Sequence, residues 1–405
     1  MKRFILAKYL LPIHQEPIKG GCLVLDNDKV IAMGHYNDLK REYPNAPIDD
    51  LSQYIILPGF VNCHTHLELS PLKDQIEWKG SFSDWIKEVG RLKRELGEET
   101  ILEGVDKAIQ DLWKSGVIAV GEISSEYLSY QSLAQSSLHG RVYWEYISLR
   151  SEDLNSRFNM LKDSMQEDIQ ANSTMKVGVS PHSSYTLSPE AWQKVNQFIQ
   201  EKDYPTAIHV GESIEEREFF ANRRGSLFQF INGISQLPEE VYHTTPLSYL
   251  HSKGYLMRGN MIIHMNTMSD RDVQILQDLK LSVIHCPLSH DYFSHPPFQL
   301  DKLMDHEVNI ALGSDSLASN YTLDFFEELR QMVRNFPGLP MEKIIRMATL
   351  SGVRALKLRE GLGEIRVGQP YGLIGIRHPD PVTNPFETII YNESSVIHLM
   401  SQAFR

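Results

Sequence analysis

The length, composition and charge of the chain indicate a large globular protein with an acidic balance. It has 405 residues, of which 41% are hydrophobic and 23% charged, and its formal net charge is −12. This length suits a large barrel with a small second domain. The negative charge argues against nucleic acid or an anionic membrane as the main partner. No apolar stretch approaches the roughly 20 residues of a membrane-spanning helix.

The first residues and the cysteines bear on the cellular compartment. The stretch MKRFILAKYLLPIH resembles a secretory signal, but Lys8 interrupts its apolar run and no small-residue cleavage site follows. We therefore predict a first β-strand there. Cys22, Cys63 and Cys286 give no disulfide framework, and Cys63 and Cys286 are expected to be small buried side chains. A cytoplasmic, reducing location is expected.

Short apolar runs alternate with amphipathic segments through the middle of the chain. Eight runs begin at residue 55: ILPGFVNCH, GVIAVGEI, GRVYWEYI, KVGVSPH, PTAIHVGE, NMIIHM, LSVIHCP and VNIALGSDS. Helices are predicted between them, for example over residues 99–114, 188–202, 270–280 and 323–335. Eight such alternations predict an α/β fold of the (β/α)8 TIM-barrel type, with a doubly wound sheet as the alternative.

Both ends of the chain return to short strands. KRFILAKYLLPI and GGCLVLDNDKVIAMG lie before the barrel pattern, and GLGEIRVGQPYGLIGI and PFETIIYNESSVIHLM lie after it. We predict that residues 1–57 and 361–405 together form a small β-sandwich domain. The catalytic barrel is then expected to comprise residues 58–360.

Metal-binding types of side chain occur where the predicted strands end. His64 and His66 end the first run, His209 the fifth, His264 the sixth and Asp315 the eighth. In a barrel these ends meet at one face, where active sites lie. On a strand, residues two apart point to the same side, so His64 and His66 could reach one ion. Nitrogen ligands with one carboxylate are typical of a zinc or ferrous site that leaves a position for water.

The segments that carry these residues resemble one enzyme family. PGFVNCHTHLEL, AIHVGES, IIHM, CPLSH and ALGSDSLASN are similar to motifs of the amidohydrolase superfamily, in its branch of nucleoside and nucleobase deaminases and chlorohydrolases. The segment GEIRVGQPYGLIGI gives weaker support, because Tyr371-Gly372 stands where that family usually has Ala-Asp. The resemblance implies a (β/α)8 barrel with a metal-dependent hydrolase site.

The resemblance also implies roles for individual residues. One divalent ion, expected to be Zn²⁺ with Fe²⁺ as the alternative, would be bound by His64, His66, His209 and Asp315. His264 would be either a further ligand or a hydrogen-bond partner of the bound water. Metal-bound hydroxide would attack the ring carbon that bears the amino group, with Asp315 accepting a proton from the water. Glu212 would protonate the neighbouring ring nitrogen, and ammonia would leave.

A single ion is predicted rather than a pair. The binuclear branch of the superfamily needs a carboxylated lysine at the end of the fourth strand. Here Lys176 precedes the run VGVSPH and so belongs at the opposite end of the barrel, while His182 follows the run.

Several motif residues are candidates for substrate contact. SPHSSYTLSP resembles a substrate loop of nucleoside deaminases, so His182 is a candidate, although it could equally cap the following helix. Trp85 in SFSDWI could cover the substrate or pack in the interior. Glu68 and Glu145 could bind ribose hydroxyls or an exocyclic amine, or could equally orient the metal histidines. His290 is a candidate because it replaces the asparagine usual in its motif.

The motifs around Glu68, Glu145 and His290 are most similar to those of aminodeoxyfutalosine deaminases. We therefore predict hydrolytic deamination of an adenine-type nucleoside, with 6-aminodeoxyfutalosine of menaquinone biosynthesis as the leading candidate. S-adenosylhomocysteine, methylthioadenosine and adenosine are alternative substrates. Chlorohydrolase or cyclic amidine hydrolase activity is the alternative reaction. A small-molecule substrate and a homodimer are expected as partners.

Overall fold

The computed structural model describes residues 2–169, 174–235, 242–359, 361–378 and 381–401. Its strands are β1 (Lys2–Leu10), β2 (Ile18–Lys19), β3 (Gly21–Asp26), β4 (Lys29–His35), β5 (Ile48–Pro58), β6 (Phe60–Thr65), β7 (Val117–Ser124), β8 (His139–Tyr146), β9 (Met175–Pro181), β10 (Ala207–Val210), β11 (Met261–His264), β12 (Ser282–His285), β13 (Asn309–Leu312), β14 (Gly372–Arg377) and β15 (Val396–Met400).

The helices surround or connect these strands. They are α1 (Tyr36–Leu39), α2 (Phe82–Lys93), α3 (Glu98–Lys114), α4 (Ser129–Gln135), α5 (Leu154–Ile169), α6 (Pro189–Lys202), α7 (Ile214–Asn222), α8 (Ser226–Ile234), α9 (Pro246–Ser252), α10 (Asp270–Asp278), α11 (Pro287–Tyr292), α12 (Leu300–Asp305), α13 (Phe325–Asn335), α14 (Met341–Met347), α15 (Leu350–Ala355) and α16 (Pro385–Ile390), with a 3₁₀ helix over Leu67–Leu72. No helix within the described ranges is long and apolar enough to cross a membrane.

Eight parallel strands in chain order form the centre of the fold. They make two four-stranded sheets, β6 to β9 and β10 to β13. A parallel bridge between Ser183 and His209 joins β9 to β10 at one junction, and a parallel bridge between Thr65 and Asp315 brings the first and last of these strands together. The predicted α/β fold of parallel strands is confirmed. We call these eight the barrel strands.

The apolar character of the barrel strands explains why they pack in this way. Every residue of β7 is buried, as expected for a parallel strand that is covered on both faces. The predicted helices are confirmed within two residues at their ends. For example, the Ser188 hydroxyl accepts a hydrogen bond from the Ala191 amide and begins α6, with Pro189 in the first turn.

A seven-stranded sheet contains strands from both ends of the chain. Its order is β15-β14-β5-β1-β3-β4, with β2 paired to β1, and only the β1–β5 pair is parallel. Ile5, Leu23 and Leu25 lie in one apolar cluster of this sheet, and Phe4 and Cys22 lie in another. The run predicted as the first barrel strand is divided, because its first residues belong to β5 in this sheet. The predicted domain boundaries remain a prediction.

Gly140 is a point where the barrel tolerates no side chain. Its φ is +144°, and a Cβ atom built there would lie 1.9 Å from the carbonyl oxygen of Val120. We expect Gly140→Ala to lower the free energy of unfolding by about 2–4 kcal/mol through strain and overpacking, as measured by urea denaturation. Gly338 has no atom within 4 Å of a built Cβ and is the matched control. Equal stabilities of the two variants would contradict this interpretation.

Candidate active site

The ends of four barrel strands bring the predicted ligands together. The Nε2 atoms of His66 and His209 are 3.3 Å apart. Asp315 Oδ1 lies 3.3 Å from His64 Nε2 and 3.9 Å from His66 Nε2. Ligand atoms of His64, His209 and His264 also lie within 4.8 Å of one another. All five of these predicted residues therefore surround one small volume.

Hydrogen bonding shows which ring nitrogens are free to bind an ion. His209 Nδ1 lies 2.9 Å from the carbonyl oxygen of His182, which can only accept, so Nδ1 carries the hydrogen. The lone pair of His209 is then on Nε2, which faces the cluster. His64 is fully buried; its Nδ1 makes no hydrogen bond with any described group, and its Nε2 faces Asp315 Oδ1. Buried imidazole nitrogens that face one another and a carboxylate oxygen fit ligands of a cation.

Two serines orient the carboxylate of Asp315. Its Oδ2 accepts hydrogen bonds from the hydroxyls of Ser289 at 2.6 Å and Ser319 at 3.0 Å, while Oδ1 faces the histidines. Neither serine was predicted from the sequence, although Ser289 lies in the motif CPLSH and Ser319 in ALGSDSLASN. Asp315 and His264 have φ values of +58° and +75°, a strained conformation that is concentrated at functional sites.

The electrostatics of the cluster keep these groups in their metal-binding forms. Burial, with the neighbouring His64 as a second cause, holds the pKa of His66 well below its usual range, and burial does the same for the pKa of His209. Burial raises the pKa of Asp315, but the adjacent His64, together with His264 and His66, lowers it more, so that it lies well below its usual value. Neutral imidazoles and an ionised carboxylate are the forms that bind a divalent ion. These residues therefore fit such an ion.

Glu212 lies beside this cluster as a buried carboxyl group. Its Oε1 is 3.4 Å from Nε2 of His264. Burial raises the pKa of Glu212 well above the usual range, and the charges of Asp315 and Glu216 raise it further. Burial also lowers the pKa of His264 to about 3, so this imidazole is neutral. The raised pKa favours the protonated form of Glu212, which is the form that a general acid donates from.

A cavity of about 610 Å³ opens above the cluster. Its floor includes His66, His209, Glu212, His264 and Asp315, and its walls include side chains of α2 and α8. Polar groups at the floor and apolar groups on the walls are typical of a small-molecule site.

Three of the predicted substrate residues line this cavity: His182, Glu145 and Trp85. His182 Nε2 is 3.7 Å from Glu145 Oε1, and its Nδ1 is 3.0 Å from the Thr186 hydroxyl. His182 does not cap the following helix, because Ser188 does. The Trp85 indole N–H donates to the carbonyl of Ala318 at 3.3 Å, so this ring both packs and borders the cavity.

Glu68 does not line the cavity, which corrects its prediction as a substrate residue. It is buried, and its carboxylate accepts six hydrogen bonds from the segment 124–129 that follows β7. Glu122, at the end of β7, makes the reciprocal connection, since its carboxylate accepts from the Thr65 hydroxyl and the Leu67 amide. Glu68, which follows β6, thus binds the loop after β7, and Glu122, on β7, binds the segment at the end of β6. Because six hydrogen bonds occupy its two oxygens, Glu68 has no acceptor free for a ligand.

His290 is not among the residues that line the cavity, and its role in substrate binding remains a prediction. Its Nδ1 is 3.0 Å from Oδ1 of Asn266, whose amide nitrogen donates to the carbonyl oxygen of Glu212 at 3.1 Å. His290 is therefore connected to Glu212 through Asn266. Lys176 is exposed at the start of β9, and His182 follows that strand, as predicted.

The ligand assignment predicts the metal content of three variants. His64→Ala should remove the ion, because it deletes a buried ligand. Ser289→Ala should lower the affinity about 10–100-fold by releasing the orienting bond to Asp315. Elemental analysis of purified protein and titration with a competing chelator measure both effects. His306→Ala, at the end of α12, is the control. A His64→Ala protein with a full equivalent of ion would overturn the assignment.

Comparisons with known proteins identify the family of this chain. The model of the amidohydrolase family matches residues 55–394. The chain is 26% identical to a 5'-deoxyadenosine deaminase of Methanothrix thermoacetophila, over 93% of this chain and 88% of that enzyme. It is 26% identical to an aminodeoxyfutalosine deaminase of Nitratiruptor, over 94% and 93%. The fold matches Helicobacter pylori aminofutalosine deaminase in complex with methylthio-coformycin at a TM-score of 0.85, with 23% identity over 98% of each chain. This chain belongs to the amidohydrolase family.

Proposed function

We propose that this protein is a metal-dependent hydrolytic deaminase of an adenine-type nucleoside, with 6-aminodeoxyfutalosine as its substrate. The observation that carries the proposal is the buried Glu212 carboxyl group beside the histidine and aspartate cluster, at the floor of the cavity. The relatives named for 5'-deoxyadenosine and aminodeoxyfutalosine deamination support the reaction class.

Four side chains would hold the ion, zinc or ferrous iron: His64, His66, His209 and Asp315. When bound, such an ion lowers the pKa of a coordinated water so that the water becomes a nucleophile near neutral pH. The serines that hold Asp315 Oδ2 leave Oδ1 directed at the histidines, where it can take part in binding and accept a proton.

Glu212 supplies the proton that deamination needs. The protonated carboxyl group donates to the ring nitrogen next to the carbon under attack, so negative charge does not accumulate on the ring. As that carbon becomes tetrahedral, the amino group takes up the proton that Asp315 accepted from the water and leaves as ammonia, and the new hydroxyl returns a proton to Glu212 as it becomes a carbonyl. The neutral His264, 3.4 Å from Glu212, is placed to orient the attacking water by hydrogen bonding.

The polar wall above Glu212 suits a sugar. Glu145 is largely buried, and its carboxylate oxygen Oε1 lies 3.7 Å from His182 Nε2. An ionised carboxylate accepts hydrogen bonds, so Glu145 can receive ribose hydroxyls.

The outer part of the cavity favours a large acidic substituent on the nucleoside. Apolar side chains of α2 and α8 form its walls, including Trp85 and Phe230. Arg94 and Arg157 also line it, and neither forms an ion pair with a carboxylate in the described ranges. 6-Aminodeoxyfutalosine, an adenine nucleoside with an aromatic carboxylic acid on its sugar, matches both the apolar walls and the guanidinium groups. Adenosine would leave both unused.

The first test is removal of the proton donor. Glu212→Gln keeps the size of the side chain but cannot cycle a proton, so ammonia release should fall about 10²–10⁴-fold with the ion still bound. A panel of adenine nucleosides that includes 6-aminodeoxyfutalosine, assayed on metal-replete protein, provides the measurement. Glu201→Gln, on the surface of α6, is the control. Near-normal turnover by Glu212→Gln would contradict the proposed chemistry.

The second test concerns the choice of substrate. Arg157→Ala should raise KM for 6-aminodeoxyfutalosine about tenfold, since a charge-assisted bond contributes about 1.5 kcal/mol or more, while KM for adenosine stays unchanged. Steady-state kinetics on both nucleosides measure the difference. If KM rises equally for both nucleosides, the guanidinium of Arg157 does not select a carboxylate. Chloride release from a chlorotriazine, without ammonia release from any nucleoside, would show that the reaction is dechlorination and not deamination.

A further inference from the structure

Glu216, on the first turn of α7, is a buried carboxyl group that the chemistry above does not use. It is 1% exposed and does not line the cavity. We propose that Glu216 is a positioning residue, which holds the backbone of Glu212 and the loop that carries His182 in one fixed arrangement. This inference rests on the proposed function, because it assigns Glu216 a part in placing the proton donor.

The two oxygens of Glu216 are bonded to two different loops. Oε2 accepts a hydrogen bond from the backbone N–H of Glu212 at 2.8 Å. Oε1 accepts from the hydroxyl of Ser184 at 2.6 Å. The N–H of Gly211 is a further donor to this carboxyl group. Burying a carboxylate is costly unless such bonds satisfy it, so its position is strongly determined by these partners.

The backbone of Glu212 is held from both sides. Its N–H is bonded to Glu216, and its carbonyl oxygen accepts from the side-chain amide of Asn266 at 3.1 Å. Asn266 is in turn 3.0 Å from His290. With both polar backbone atoms occupied, the peptide of Glu212 has little freedom to rotate, and its carboxyl group stays near His264. A displacement of about 1 Å at such a group costs about 10²-fold in rate.

Ser184 extends the same restraint to the substrate wall. It lies two residues after His182, in the loop that follows β9. The carbonyl oxygen of His182 accepts from the backbone N–H of His209 and faces its ring nitrogen Nδ1, both at 2.9 Å. Glu216 therefore joins the loop after β9 to the loop after β10, and so relates His182 to Glu212.

The matched substitutions are Glu216→Ala and Glu216→Gln. Alanine removes both bonds, so kcat for ammonia release should fall about 10–100-fold with the ion still bound and KM changed less. Glutamine keeps an acceptor for the Glu212 N–H, and its amide can donate to Ser184, so activity should return to within about threefold of the wild type. Asp272→Ala, which removes another buried carboxylate bonded to three hydroxyls away from the cavity, is the control for lost stability.

A double-mutant cycle separates positioning from general stability. If Glu216 acts through Glu212, Glu216→Ala should lower kcat little further in a Glu212→Gln background. Full additivity, or a loss of kcat no larger than that of Asp272→Ala at equal loss of melting temperature, would overturn the inference.

Amide hydrogen exchange gives a readout that does not depend on activity. The Glu212 N–H should exchange slowly in the wild type and in Glu216→Gln, and faster in Glu216→Ala. Unchanged exchange in Glu216→Ala would overturn the inference even if the enzyme is active. A wild type that releases no ammonia from any nucleoside would refute the proposed function, while the exchange measurement would still decide whether Glu216 holds Glu212.

Discussion

The active-site structure depends on one constraint: several imidazoles and a carboxylate are buried together at the strand ends, with their free nitrogens and oxygen directed at one another. The Nε2 atoms of His66 and His209 approach to 3.3 Å, yet the bond from His209 Nδ1 to a carbonyl leaves its Nε2 without a hydrogen to donate. A cation between these two nitrogens is bound by both of them when His66 also carries its hydrogen on Nδ1. The surrounding parallel strands and their apolar core keep this arrangement from relaxing.

Buried carboxylates hold the loops around this constraint. Glu68 and Glu122 each hold the loop that follows the other's strand, and Glu216 holds the backbone of Glu212. Glu215 accepts from the backbone N–H groups of Phe82 and Ser83 at the start of α2, the helix that carries Trp85. An anion at a helix N-terminus stabilises it through the unpaired amides and the helix dipole. The short segment 212–216 thus contains the proposed proton donor, the residue that bonds to its backbone and the anchor of α2.

The buried glutamates have different surroundings, and these fit their different roles. Glu212 meets few hydrogen-bond donors, and burial raises its pKa, which suits a group that gives up a proton. Glu68 accepts bonds from both backbone and hydroxyl groups and serves as a fixed connector. The chemical role of each glutamate follows from the number of donors that surround it.

The order of apolar runs was enough to predict the parallel barrel strands. The ends of these strands were enough to predict which ligand-type side chains meet: His64, His66, His209, His264 and Asp315. Both follow from local periodicity and from the geometry of a barrel, which brings all strand ends to one face. The sequence did not reveal that Glu68 binds the loop after β7, that His290 contacts Asn266, or that Ser289, Ser319 and Glu216 bond to Asp315 and Glu212. Those outcomes depend on which loop from a distant part of the chain supplies the hydrogen-bond partner. Only the tertiary structure decides this, because a buried polar side chain takes the direction in which its bonds are satisfied.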